Sequence, residues 1–240
     1  MTTLFISDLH LDAGRPEIAE QFLEFLKVEA ESADALYILG DLFESWVGDD
    51  DPNAHYAQVK AAIRKLTDLG IPVYFMHGNR DFMIGDDFAV ETGVKLLPEY
   101  YVLDIHGTQV LLTHGDALCT DDLEYQAMRT MTRNPEWQLM MMQKPLAERQ
   151  AFAAQARAAS IAHGKTIDDD ISDVNADAVD ARFREHDVSL MLHGHTHRPA
   201  VHQLQVDGND AKRIVLGDWY TQGSVVRWEE SGPILSAMER

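Results

Sequence analysis

The 240 residues suffice for one full-sized core, and 40 acidic against 20 basic side chains give a formal charge of −20. That balance disfavours nucleic acid as a partner and repels any phosphate that is not met by placed cations. The single cysteine, Cys119, excludes an intrachain disulfide, and no apolar run nears the ~20 residues that span a bilayer.

In chain order, Leu4-Phe5-Ile6 is the first short apolar run and empties into SDLH. The opening MTTLFISDLH lacks the basic and long apolar segments of a secretory signal, so a reducing, cytoplasmic setting is expected. After Pro16 a helical stripe follows (Ile18, Phe22, Phe25, Leu26); Ala35 to Leu39 then leads to GDLFESW. A second stripe after Pro52 (Tyr56, Val59, Ile63, Leu66) precedes Val73 to Met76, which leads to HGNRD. Strands alternating with helices predict a largely parallel sheet with crossover helices. Tyr100 to Ile105 and Gln109 to Thr113 read as a hairpin about Gly107 that runs into THGD, and Val188 to Leu192 runs into HGHTH. Further strands are expected at Val201 to Val206, Arg213 to Leu216, Ser224 to Trp228 and Ile234 to Met238, with turns at DGND and ESGP. The fold class expected is α/β: a second, more antiparallel sheet packed on the first, with helices outside.

Residues 121 to 165 fit neither sheet. Asp121 is expected to cap a helix through Arg133, Pro135 to start another through Gln143, and Pro145 to begin a third that ends near Gly164. This segment carries six basic and five acidic residues, a charge of +1 that leaves −21 on the rest. It therefore reads as an insertion in a core formed by 1–120 and 166–240. Its run Leu139-Met140-Met141-Met142 either fills irregular core gaps or lines an adaptable apolar surface.

Five apolar runs thus end in small residues followed by Asp, Asn or His. Ligands bind at the carboxyl ends of strands in such sheets, so these ends should converge. In HGHTH, an extended backbone would turn His193, His195 and His197 to one face. The converging set is Asp8, His10, Asp41, Asn79, His114, His195 and His197. Carboxylates, imidazoles and one amide oxygen, with no thiolate, suit two adjacent divalent cations rather than a structural zinc. Such a pair acidifies water and clamps the oxygens of an in-line displacement at phosphorus, and Asp41 is the candidate bridging carboxylate.

The order D-x-H, G-D, G-N-R-D, H-G-D, G-H-x-H resembles the calcineurin-like metallophosphoesterases, whose fold is a two-sheet αββα sandwich. The resemblance implies that Asp8, His10, Asp41 and His197 hold one metal, while Asp41, Asn79, His114 and His195 hold the other. Manganese is implied, although the residues alone also admit iron, zinc or cobalt. Where that family often has histidine after the asparagine, this chain has Arg80, which cannot act as a general acid but can grip a phosphate with two donors. Arg80 is alternatively an ion-pair partner of Asp81.

GNRDF at 78–82, LGDLFESWVGDDDPN at 39–53, LLTHGDALCTDD at 111–122 and HGHTHRPAVH at 193–202 resemble, more narrowly, the UDP-2,3-diacylglucosamine hydrolase family of lipid A synthesis. That likeness implies water attack on the α-phosphorus of UDP-2,3-diacylglucosamine to give UMP and the lipid-bearing sugar 1-phosphate. Arg80 and Asp41 would be catalytic, and the helical insertion would be a cap for the acyl chains. Substrate contacts carry over to Asn79, Arg80, Asp122, Ser160, Lys165 and His195. Asp122 serves equally well as a helix cap. A monomer on the cytoplasmic face of the inner membrane, held peripherally through its less acidic cap, is expected. The rival readings are another phosphoesterase activity on water-soluble substrates and a non-catalytic binding scaffold.

Overall fold

The computed structural model describes residues 2–164 and 171–239. Two sheets stack face to face. One has the order β11-β10-β1-β2-β3-β4, formed by Gly232–Met238 (β11), Gly223–Glu229 (β10), Thr3–Ile6 (β1), Ala35–Ile38 (β2), Val73–Met76 (β3) and Lys95–Leu97 (β4). Strands β1 to β4 are parallel, and the β10-β11 hairpin joins antiparallel at β1. The other sheet has the order β5-β6-β7-β9-β8, from Tyr101–Ile105 (β5), Thr108–Leu112 (β6), Leu190–His193 (β7), Asn209–Val215 (β9) and Ala200–Val206 (β8). It is mixed: β6, β7 and β9 run parallel, with antiparallel β5 and β8 outside them.

Strand periodicity assigns the layers. On β1, Leu4 and Ile6 face the helices while Phe5 faces the second sheet; on β2, Leu36 and Ile38 oppose Ala35 and Tyr37 in the same way. The outer layer on the first sheet is formed by helices Pro16–Val28 (α1), Ala54–Asp68 (α2) and Asp86–Thr92 (α3). The stripes read from the sequence, Ile18-Phe22-Phe25-Leu26 and Tyr56-Val59-Ile63-Leu66, are their buried faces. Between the sheets lie Phe5, Tyr37, Leu112, Leu192, Ile214 and Trp228, among others. The opposite outer layer is Ala176–His186 (α7), which buries Val179 and Phe183 against Leu111 and Met191. This is the expected αββα sandwich.

Three details depart from the sequence reading. The C-terminal strands divide between the sheets, because β10 completes the open edge of β1 rather than extending the second sheet. Helix α7 and strand β4 were not anticipated; each is short, with two or three core-facing residues. The inserted segment forms Leu123–Thr132 (α4), Pro135–Met142 (α5) and Leu146–Gly164 (α6). Here Asp122, not Asp121, is the N-cap of α4, its side chain accepting from Tyr125 N at 3.0 Å. Asp121 instead accepts from the Asn175 side-chain amide at the start of α7.

Candidate metal centre and adjoining cavity

The ligand-bearing residues follow strand ends of both sheets, and unusual backbone geometry aims them. Asp8, His10, Asp41, His195 and His197 all have left-handed φ values, of 56°, 51°, 53°, 68° and 56°. Each such conformation costs a non-glycine residue roughly 1–2 kcal/mol, so the surrounding fold must enforce it. It does so by bonding the first two loops side by side: Asp8 N donates to Gly40 O, His10 N to Asp41 O and Leu11 N to Leu42 O, at 2.9–3.1 Å. Asp81, fully buried, accepts from Gly78 N at 2.8 Å and Leu42 N at 2.8 Å and so ties the GD loop to the GNR loop. A Cβ at Gly78 would run into the Asp41 carboxylate and one at Gly194 into Asp8 and Ser7, so the motif glycines permit the close approach of the loops.

Two clusters result, Asp8-His10-His197 and Asp8-Asp41-His114, each with its ligand atoms within 4.8 Å of one another. Asp41 Oδ2 lies between them, 3.7 Å from His10 Nε2 and 3.8 Å from His114 Nε2. Asn79 Oδ1 is 3.1 Å from His114 Nε2 and 2.9 Å from His195 Nδ1. All seven predicted ligands therefore come together.

The donor set fits cations. His114 Nδ1 donates to Leu39 O at 2.8 Å, which leaves its Nε2 lone pair facing the Asn79 oxygen, an acceptor. His10 and His197 turn their Nδ1 atoms to Glu44 (3.1 Å) and Asp218 (3.4 Å), and their Nε2 atoms meet at 3.1 Å. Asp8 Oδ1 is buried without a hydrogen-bond partner, 3.3 Å from His197 Nε2. Lone pairs that converge in a buried site call for a positive charge between them.

The electrostatics agree. Burial would raise the Asp8 pKa, but the adjacent His197, with His114 and His10, holds it well below the usual carboxylate range. Burial and the neighbouring His114 push His195 down to about 4, so its imidazole is neutral at physiological pH.

His193 does not belong to this set. The two left-handed residues after it break the alternation that an extended backbone would have given, and His193 points the other way. Its Nδ1 donates to Gly194 O at 2.8 Å and its Nε2 accepts from Arg213 Nη1 at 3.0 Å. His77, likewise before a glycine, bonds Ile84 O at 2.7 Å.

Beside the centre lies a cavity of about 520 Å³ between the core loops and α4, α5 and α6. Asn79 and Arg80 line its end nearest the ligands, and Trp46, Phe82, Trp137 and Phe152 supply aromatic wall. The stretch AFAAQARAAS puts Ala153, Ala156 and Ala159 on the cavity wall, where their small side chains leave room. Arg80 is held at both backbone groups, donating from N to Asp41 Oδ1 at 2.8 Å and accepting at O from Trp46 N at 3.0 Å. Its Nη2 donates to Ser160 Oγ at 3.3 Å, and its buried Nε has no hydrogen-bond partner. No ion pair joins Arg80 to Asp81 among the described residues.

Asp122 does not line the cavity; besides capping α4, it accepts from His163 Nε2 at 3.0 Å, and His163 does line it. Lys165 lies outside the described residues. Of the methionine run, Met141 alone lines the cavity, whereas Leu139, Met140 and Met142 are 66%, 48% and 40% exposed. The run follows the turn of a short helix, so only one of its residues can point inward.

Sequence reasoning missed the groups that bind the inserted helices to the core. Asp116, two residues after His114 and buried, accepts from Tyr125 OH (3.1 Å), Arg129 Nε (2.9 Å) and Arg133 Nη2 (3.4 Å). Burial opposes its ionisation, but His114, Arg133 and Arg129 hold its carboxyl far below the ordinary aspartate value. Arg133 also donates to Gly78 O at 2.9 Å, directly before Asn79. The acidic run Asp49-Asp50-Asp51 is engaged too. Asp49 accepts from Trp46 Nε1 and from the first turn of α3, and Asp50 takes both terminal nitrogens of buried Arg149 on α6. The HGD motif and the basic residues of the insertion carried a signal for these pairs, but their partners are up to 99 residues apart.

Five strand-end loops that gather carboxylates, imidazoles and an amide oxygen on an αββα sandwich define a phosphoesterase of the calcineurin-like class, and the calcineurin-like phosphoesterase family profile matches residues 1–199. The chain belongs to that family. Within it, the sequence groups with the UDP-2,3-diacylglucosamine hydrolases: it is 51% identical to that of Stenotrophomonas maltophilia (strain K279a) over 100% of both chains. It is 53% identical to that of Salmonella typhi over 95% of both. Among solved structures an archaeal phosphodiesterase, 11% identical, superposes with a TM-score of 0.50 over 99% of this chain and 100% of that one, a likeness of fold alone.

Proposed function

We propose that the protein hydrolyses the pyrophosphate bond of UDP-2,3-diacylglucosamine in lipid A biosynthesis. Water attacks the α-phosphorus, the bond from that phosphorus to the bridging oxygen breaks, and UMP and 2,3-diacylglucosamine 1-phosphate leave. The observation that carries this reading is the apolar cavity opening directly beside Asn79 and Arg80 and the ligand cluster. The full-length identity to hydrolases of that name supports the substrate.

In this reading Asp8, His10, Asp41 and His197 hold one divalent cation, and Asp41, Asn79, His114 and His195 hold a second, with Asp41 shared. Manganese is the expected ion. When bound, the cations supply Lewis acidity and a lowered water pKa. The chain's own residues do the rest. Arg80, clamped at its backbone, offers a fixed fork of donors to the departing phosphate. A sugar 1-phosphate leaves as a stable anion, so no side chain need protonate it. Asn79 and Ser160 flank Arg80, Asp122 acts on the same wall through His163, and Lys165 is a further proposed contact.

Residues 1–120 and 166–240 form the core in this scheme, and 121–165 form the cap. The cap's cavity takes acyl chains, each buried CH₂ contributing about 0.8 kcal/mol. Its outer surface bears Leu123, Leu139 and Met140, 77%, 66% and 48% exposed, on a segment of charge +1 in a chain of −20. That face suits peripheral association of a monomer with the cytoplasmic side of the inner membrane. No helix among the described residues is long and apolar enough to cross a membrane.

The test compares UDP-2,3-diacylglucosamine in detergent with UDP-glucosamine, each with manganese restored after chelation. A kcat/KM at least about 10³-fold higher for the acylated compound is expected, since burying about six methylenes already exceeds that ratio. Equal values, or preference for soluble phosphodiesters, would discard the cap's role and the lipid substrate.

A further inference from the structure

Glu44 stands where two parts of the molecule meet. Its backbone is fixed, Glu44 N donating to Leu11 O at 3.1 Å beside the bridge that pairs Leu11 with Phe43. Its two carboxylate oxygens point to different partners. Oε2 lies 3.1 Å from His10 Nδ1, a close approach of two buried atoms that have no other hydrogen-bond partner, and Oε1 takes Arg157 Nε of α6 at 2.5 Å. Glu44 is 15% exposed, His10 only 3%, and both Glu44 and Arg157 line the cavity.

An imidazole has one nitrogen for a proton and one for a cation. A carboxylate at Nδ1 keeps the proton there, strengthens Nε2 as a donor of its lone pair and fixes the ring plane. His10 Nε2 is the atom that faces Asp8, Asp41 and His197. His114 receives comparable support from the Leu39 carbonyl and His197 from Asp218, but both supports belong to the core. Glu44 joins its histidine to an inserted helix instead.

We infer that Glu44 is a positioning residue that sets His10 for the cation and, through Arg157, holds α6 in register with the metal loops. This rests on the metal-centre reading above. One carboxylate oxygen faces the metal loop and the other the inserted helix. The centre and the cavity are thereby tied by one side chain.

The test measures cation affinity by competition with a chromogenic chelator, and KM for the acylated substrate, in wild type, Glu44→Gln, Arg157→Met and the double variant. Glu44→Gln is expected to weaken one cation by about 10–100-fold, the usual loss for a group that orients a metal-binding histidine. Arg157→Met is expected to raise KM while leaving cation affinity within about twofold, a contrast that general loosening of the fold would not produce. In the double variant the KM increment of Arg157→Met should shrink, because its partner is already gone. Wild-type cation affinity in folded Glu44→Gln, or additive KM changes, would overturn the inference alone. Should Glu44→Gln not fold, Glu44→Asp, whose shorter arm cannot reach both partners, is expected to weaken the cation or raise KM, and wild-type behaviour in both would overturn it. Failure of the wild-type protein to bind cations would overturn the metal-centre reading and this inference with it.

Discussion

Asp41→Asn is expected to lower turnover of UDP-2,3-diacylglucosamine by about 10³-fold or more, roughly 4 kcal/mol of barrier. Asp41 is 1% exposed, and its Oδ2 lies within 3.8 Å of histidines from both ligand clusters. An amide keeps the oxygen that receives Arg80 N, so the GNR loop should hold its place. What disappears is the one negative charge common to both proposed cation sites. Removing a single preorganised donor costs about 10²–10³ in kcat; loss of a shared ligand should cost at least the upper figure. Stability should move the other way in the metal-free protein. Burial first and the neighbouring Asp41 charge second push the Asp81 carboxyl up to about 7. Neutralising Asp41 relieves that repulsion, so the chelated variant is expected to melt no lower than the chelated wild type. Metal content, single-turnover rates and paired melts check this, and wild-type turnover in the variant would remove Asp41 from the centre.

Arg80→Ala is expected to reduce kcat by about 10²–10³-fold, with a smaller change in KM, because the guanidinium meets charge that grows as the leaving phosphate departs. Arg80→Lys should recover only part of the loss, since an ammonium is a point charge without the fork. Arg80→His is the informative contrast. If the leaving group needed a proton, histidine would restore the rate below its pKa. The reading here predicts no such rescue, as a sugar 1-phosphate requires none. Steady-state kinetics of the three variants across pH 6–9 decide the matter, and rescue by histidine at low pH would contradict it. Because Arg80 is anchored by backbone bonds at both ends, Ala at this position leaves the loop contacts through Asp41 and Trp46 intact.

The seven converging residues were legible because each sits within a few positions of an apolar run, and strand ends on one side of a sandwich must meet. Residues whose role depends on distant partners were not. The HGD motif marks Asp116 but not that Tyr125, Arg129 and Arg133, 9 to 17 positions later, all close on it, and Glu44 acquires its importance from Arg157, 113 positions away along the chain. Asp50, one of three consecutive acids, is set apart only by Arg149, 99 positions along the chain, which donates to it. The face argument for HGHTH failed for a different reason. Period-two alternation assumes an extended backbone, whereas His195 and His197 adopt the left-handed region under tertiary constraint. His195 and His197 reach the centre because of those turns, and His193 turns away to Arg213. Helix α7 went unread since only Val179 and Phe183 of its eleven residues are buried, too sparse a stripe to stand out.

The most direct measurement is hydrolysis of UDP-2,3-diacylglucosamine in ¹⁸O-labelled water, with enzyme first stripped by chelator and then given manganese, and the label located by mass spectrometry. The account predicts no turnover in the stripped protein, turnover on adding the metal, and the label in UMP. Label in the acylated sugar 1-phosphate would place attack at the other phosphorus, and metal-independent turnover would contradict the centre itself.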